Sequence, residues 1–124
     1  MQNCNSKPKD NYDIKKRTYS YSIQIINFID KLPKDNSAQT ISKQLLRSAT
    51  SIGANIVEAK SCNTRKDFIN FFSYSLKSSN ETKYWLDLLR DTGKANFQEA
   101  DNLIKEVTEI SKILAKSILT LKNK

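Results

Sequence analysis

Apolar residues recur at steps of three and four along four stretches of this chain, separated by short polar connections. That period lines up side chains on one face of an α-helix, whereas a strand would need alternation. The spacing predicts a first helix over residues 12–31, with Tyr19, Ile23, Ile26 and Ile29 (or Asp30) on one line and Tyr21, Ile25, Phe28 and Leu32 beside it. Leu32-Pro33 ends it, because proline disfavours helical geometry in the preceding residue. Ser37 is suited to cap a second helix over 38–60, carried by Ile41, Leu45, Ala49, Ile52, Ile56 and Ala59. Thr64 with Asp67 opens a third over 65–91, since a hydroxyl cap and a first-turn carboxylate both serve exposed N–H groups. Gly93 fits the left-handed position that closes it. Asn96 with Glu99 opens a fourth over 97–122, on Leu103, Val107, Ile110, Leu114, Ile118 and Leu121.

Four helices of about 20 to 27 residues, with connections of about five, must lie antiparallel to their sequence neighbours. The expected fold is therefore all-α, an up-down-up-down four-helix bundle over residues 12–122, preceded by a flexible polar tail over 1–11. Only two glycines and two prolines occur in 124 residues, too few for the turns of a sandwich or barrel.

The chain carries 21 Lys and Arg against 13 Asp and Glu, a net charge of +8. It divides as +1 over 1–11, +2 over 12–33, +2 over 34–60, +1 over 61–91 and +2 over 92–124, so every element shares it. A basic folded surface explains this better than a basic tail, and such a surface attracts polyanions. Cys4 and Cys62 are too few and too far apart for a disulfide scaffold or a zinc site, and Cys62 reads as an ordinary loop thiol. With no apolar run long enough to span a bilayer and no signal-like start, a reducing cytoplasm is the expected compartment, with no membrane partner.

The middle pair of helices departs from simple amphipathicity. SATSIGANIVE at 48–58 and FINFFSYSLKSSNETKYWL at 68–86 carry small or polar residues where bulk is expected: Ser48, Ser51, Gly53, Asn55, Glu58, Ser75, Ser78, Ser79 and Glu81. Two helices packed closely through a partly polar strip would use such residues. Ser51, Ile52, Gly53, Asn55, Ile56 and Glu58, followed by Ser78, Glu81, Trp85 and Leu86, resemble the bundle family named after proteins encoded in intervening sequences of 23S ribosomal RNA genes. The resemblance covers both middle helices well, and the outer two by length and amphipathicity. It implies a four-helix bundle. The related accessory protein of diversity-generating retroelements implies a homopentamer with a basic surface that binds RNA or DNA and a reverse transcriptase. Where many members have proline this chain has Gly53, and where many have glycine it has Ala59, so a more continuous second helix is expected.

Two sets of residues are candidates for function. Asn55 lies on the apolar line of the second helix, and Glu58 and Glu81 stand one turn from Asn55 and Ser78. With Ser51 they would form a structural polar seam, since a buried carboxylate needs hydrogen bonds or a cation. The sharper alternative is a metal-dependent nuclease using Glu58 and Glu81. Di-metal bundles also draw on histidine, and this chain has none. The same absence removes catalytic triads and histidine-based zinc hydrolases, and no glycine-rich loop could cradle phosphate. Neither a cofactor, a metal nor an enzymatic activity is expected. The second set is cationic: Lys15, Lys16, Arg17, Lys43, Arg47, Arg65 and Lys66, with Lys105, Lys112 and Lys116 along the fourth helix. It suits a phosphate backbone, read by charge and shape. The aromatic third helix, with Phe71, Tyr74, Trp85 and Leu88 beside Phe68, Phe72, Leu76 and Leu86, has more apolar width than one bundle face needs, which predicts self-association. The expected function is thus a self-associating nucleic-acid-binding bundle, a pentamer as the resemblance implies. The alternative is a scaffold for an acidic protein such as a polymerase.

Overall fold

The structure is a computed structural model that describes residues 14–123; the expected tail over 1–11 lies outside the described residues. Four helices follow one another: α1 (Ile14–Ile29), α2 (Asn36–Lys60), α3 (Arg65–Asp91) and α4 (Phe97–Lys122). They form the up-down-up-down bundle, and no strand occurs among the described residues. α3 lies between α2 and α4, while α1 packs mainly on α2. No described helix is long and apolar enough to cross a membrane.

The helix ends follow from local chemistry. α1 closes in a tight turn, with the Lys31 and Leu32 N–H groups donating to the Phe28 and Ile29 carbonyls just before Pro33. α2 begins earlier than its apolar line suggested. Asp35, not Ser37, is the cap, its carboxylate accepting from the Ala38 N–H at 3.0 Å. Asp35 is the first residue after the proline turn able to do this, and Ser37 is already helical. Thr64 and Asn96 cap α3 and α4 by accepting from the Asp67 and Glu99 N–H groups. Gly93 ends the α3 turn at φ 71°, in the left-handed region.

The core is built from one line per helix. On α1 it is Ile14, Tyr21, Ile25 and Phe28 that are buried, followed by Leu32 in the turn after it, while Tyr19, Ile23 and Ile26 face outward. Leu45, Ala49, Ile52, Ile56 and Ala59 meet Phe68, Phe72, Leu86 and Leu89 and the buried face of α4. Phe68 and Phe72 stack with ring centroids 4.6 Å apart. Tyr21 reaches across to α4, where its hydroxyl donates to the Leu103 carbonyl at 2.8 Å. Burial, with the Glu106 charge nearby, pushes that phenol far above its ordinary value.

Small side chains set how closely the helices meet. A Cβ added at Gly53 would stand 3.2 Å from Thr18 Oγ1, so this glycine is where α1 rests on α2. α2 runs unbroken through it. Between α2 and α3, Ser75 Oγ donates to the Ile52 carbonyl at 2.8 Å, and Thr82 Oγ1 is hydrogen-bonded to Ser48 Oγ at 2.9 Å. Ser79 Oγ meets Ser111 Oγ of α4 at 2.7 Å. All of these except Ser111 are buried. Cys62, buried in the α2–α3 turn, is disulfide-bonded and is not the ordinary thiol suggested by sequence spacing; its pairing falls outside the described residues.

Candidate nucleic-acid interface

The cationic candidates occupy three places. Lys15 and Lys16, exposed on the first turn of α1, edge a groove of about 580 Å³ between α1 and α2, whose floor includes Gly53 and Ala54. Arg65 and Lys66, exposed on the first turn of α3, share a shallow recess of about 430 Å³ with Lys122 near the end of α4. Lys43 and Arg47 are exposed on the N-terminal half of α2, where Arg47 Nη2 donates to Gln44 Oε1 at 3.0 Å. The structure thus brings Arg65 and Lys66 together with Lys122, a residue that sequence position alone did not single out. Lys43 and Arg47 lie apart from both other places.

Arg17 has a different setting from its neighbours. Its Nε and Nη2 hold the two carboxylate oxygens of Glu106 at 2.7 and 2.8 Å. A bidentate pair of this kind fixes geometry as well as charge, and it ties α1 to α4. Lys105 and Lys112 are paired within α4, to Asp101 and Glu109. Lys15, Lys16, Lys43, Arg47, Arg65 and Lys66 make no ion pair with any described carboxylate.

The proposed seam residues sit one helical step outside the buried strip. Ser51 Oγ donates to the Arg47 carbonyl and Asn55 Nδ2 to the Ser51 carbonyl, both within α2 and both half-buried. Glu58 is exposed. Ser78 is half-buried, and Glu81 accepts from the Trp85 indole N–H at 3.0 Å. The interior carries hydroxyls, Ser48, Ser75, Ser79 and Thr82, and none of these five residues. The physical reason is economy of desolvation: a serine or threonine hydroxyl can return its proton to its own helix, and a carboxylate cannot. Thr82 and Ser111 were missed, although Thr82 continues the line of Phe68, Phe72, Ser75 and Ser79. Among the described residues no group of three or more His, Cys, Asp or Glu is placed to hold a metal ion.

The outer edge of the α2–α3 contact is aromatic. Phe71 and Trp85 are half-buried, and each has an edge-on tyrosine neighbour: Tyr74 at 6.1 Å between centroids and Tyr84 at 5.0 Å. Those tyrosines are 51% and 57% exposed, so the extra apolar width of α3 is not covered within one chain.

Comparison with known proteins places this geometry. A crystal structure of a protein of unknown function from the S23 ribosomal protein family of Bacteroides thetaiotaomicron VPI-5482 is similar, with a TM-score of 0.80 and 39% identity over 85% of this chain and 97% of that one. No curated protein matches the chain. The family model described as 23S rRNA-intervening sequence protein matches residues 10–116. With that span matched, the chain belongs to the 23S rRNA-intervening sequence protein family.

Proposed function

We propose that this protein is a non-enzymatic binder of RNA or DNA that self-associates, as a pentamer in the form that its resemblance to the retroelement accessory protein implies. The observation that carries the reading is the set of exposed cations, Lys15, Lys16, Lys43, Arg47, Arg65 and Lys66, that no described carboxylate neutralises. An exposed lysine or arginine on a helix face is ordinary. Six of them on a chain of net charge +8 give a field that condenses onto phosphate. The aromatic edge at Phe71, Tyr74, Tyr84 and Trp85 supports the assembly, because copies of one chain can cover it mutually.

Light scattering on the protein alone, then with short RNA and DNA duplexes, tests both parts. The expected outcome is a multimer whose affinity for duplex falls steeply with salt. A single-chain mass together with no complex at low salt would overturn the proposal. If binding partners recovered from cells survive nuclease treatment and are acidic proteins, the scaffold alternative replaces it.

A further inference from the structure

Along the sequence the positive charge is spread evenly, but the fold is not even. Cut at their midpoints and arranged antiparallel, the four helices give two halves of the bundle. Residues 14–22, 49–77 and 110–123 make one half, which contains ten Lys or Arg and two Asp or Glu, a net +8. Residues 23–48 and 78–109 make the other, with eight Lys or Arg and nine Asp or Glu, a net −1. Contacts across helices agree with this division: Thr18 lies against Gly53, and Ser75 bonds to Ile52, all within the first half. The Arg17–Glu106 pair spans the divide.

Ion pairing sharpens the asymmetry. In the second half Lys31 pairs with Glu99, Lys94 with Asp35, Lys83 with Asp87 and Lys105 with Asp101. Arg90 gathers Asp87, Asp91 and Asp101, which raise its proton affinity. In the first half Lys15, Lys16, Arg65, Lys66, Lys77 and Lys122 are exposed and make no ion pair with a described carboxylate. Helix dipoles do not alter the balance, because two N-termini and two C-termini meet at each end of an antiparallel bundle. Half a helix of this length is about 20 Å, more than twice the Debye length of about 8 Å at physiological ionic strength. Apart from Glu106 and Glu109, which pair with Arg17 and Lys112 at the divide, the carboxylates of one half therefore do little to screen the cations at the far end of the other.

We infer that the protein binds nucleic-acid phosphates with one half of the bundle only, the half where α2 ends, α3 begins and α4 ends. This rests on the reading above and narrows it: Lys66, Lys77 and Lys122 are contacts, and Lys43 and Arg47 are not. Electrostatic attraction at one pole also orients the encounter, so the helix axes point toward the nucleic acid.

Two variants of equal charge change test it: Lys66→Glu with Lys122→Glu, and Lys43→Glu with Arg47→Glu, titrated against labelled RNA and DNA duplexes over a range of salt, with circular dichroism as the check on folding. The first pair should weaken binding by about tenfold or more and flatten the salt dependence by close to two phosphate contacts. The second pair should stay within about twofold of the wild type. Equal losses from both pairs would overturn the assignment to one half while leaving nucleic-acid binding intact. A wild-type protein that ignores every duplex would instead remove the reading beneath it, and this inference with it. The neutral set Lys66→Gln with Lys122→Gln makes the same discrimination should the reversed set fail to fold.

Discussion

Asp35 shows how much one exposed side chain can organise. Its carboxylate accepts from Lys94 Nζ at 2.7 Å and from the Ala38 N–H at 3.0 Å. The Lys94 hydrogen bond is the larger reason that its proton affinity lies below the usual carboxylate range, with the helix N-terminus second. One residue thus caps α2 and joins the α1–α2 connection to the α3–α4 connection. Because its pKa is lower folded than unfolded, its stabilising effect is complete above the ordinary aspartate value of about 4 and is lost as pH falls through the folded value. Asp35→Asn keeps a capping oxygen and discards the charge. Denaturant unfolding between about pH 2 and 6 should therefore fall less steeply with acid in the variant than in the wild type. Parallel curves would show that Asp35 contributes nothing through its charge.

At the scale of elements, the contact between α2 and α3 is held by size. Ser75 is fully buried with its hydroxyl on the Ile52 carbonyl. Ser75→Ala should cost about 1 kcal/mol, the net value of one hydrogen bond. Ser75→Leu should cost more, about 1–3 kcal/mol, because added methylenes force well-packed helices apart. Urea unfolding midpoints would rank the two, and a stabilised leucine variant would contradict a close approach at this point. The helices themselves were legible in the sequence, since each keeps one apolar line from cap to end. Which polar line lay inside was less so. Ser75, Ser79 and Thr82 run beside Tyr74, Ser78 and Glu81, one residue or about 100° away on a helix. Phe71 and Trp85 give the outer line an apolar appearance of its own, so the pattern could not separate them. Only the position of the neighbouring helices decides. For the same reason the sequence showed an even spread of charge and hid its gathering at one end: residues 15, 66 and 122 become parts of one half only after the chain has reversed three times.

The whole molecule has two kinds of surface that sequence order mixes together. One is the cationic half; the other is the aromatic edge of α3 with Tyr74 and Tyr84 half-exposed or more. If that edge joins copies, Tyr74→Glu with Tyr84→Glu should convert the assembly to single chains while leaving the helical content unchanged, because neither ring belongs to the core. Light scattering with circular dichroism would check it, and an unaltered mass would place the contact between copies elsewhere. The antiparallel order has a practical corollary. Ile14 and Asn123 both lie in the cationic half, whereas the α1–α2 and α3–α4 connections crown the opposite pole. A reporter fused before the first helix or after the last would emerge beside the charged groups and compete for their space. A dye or surface tether attached through either of the two remote connections would leave them open.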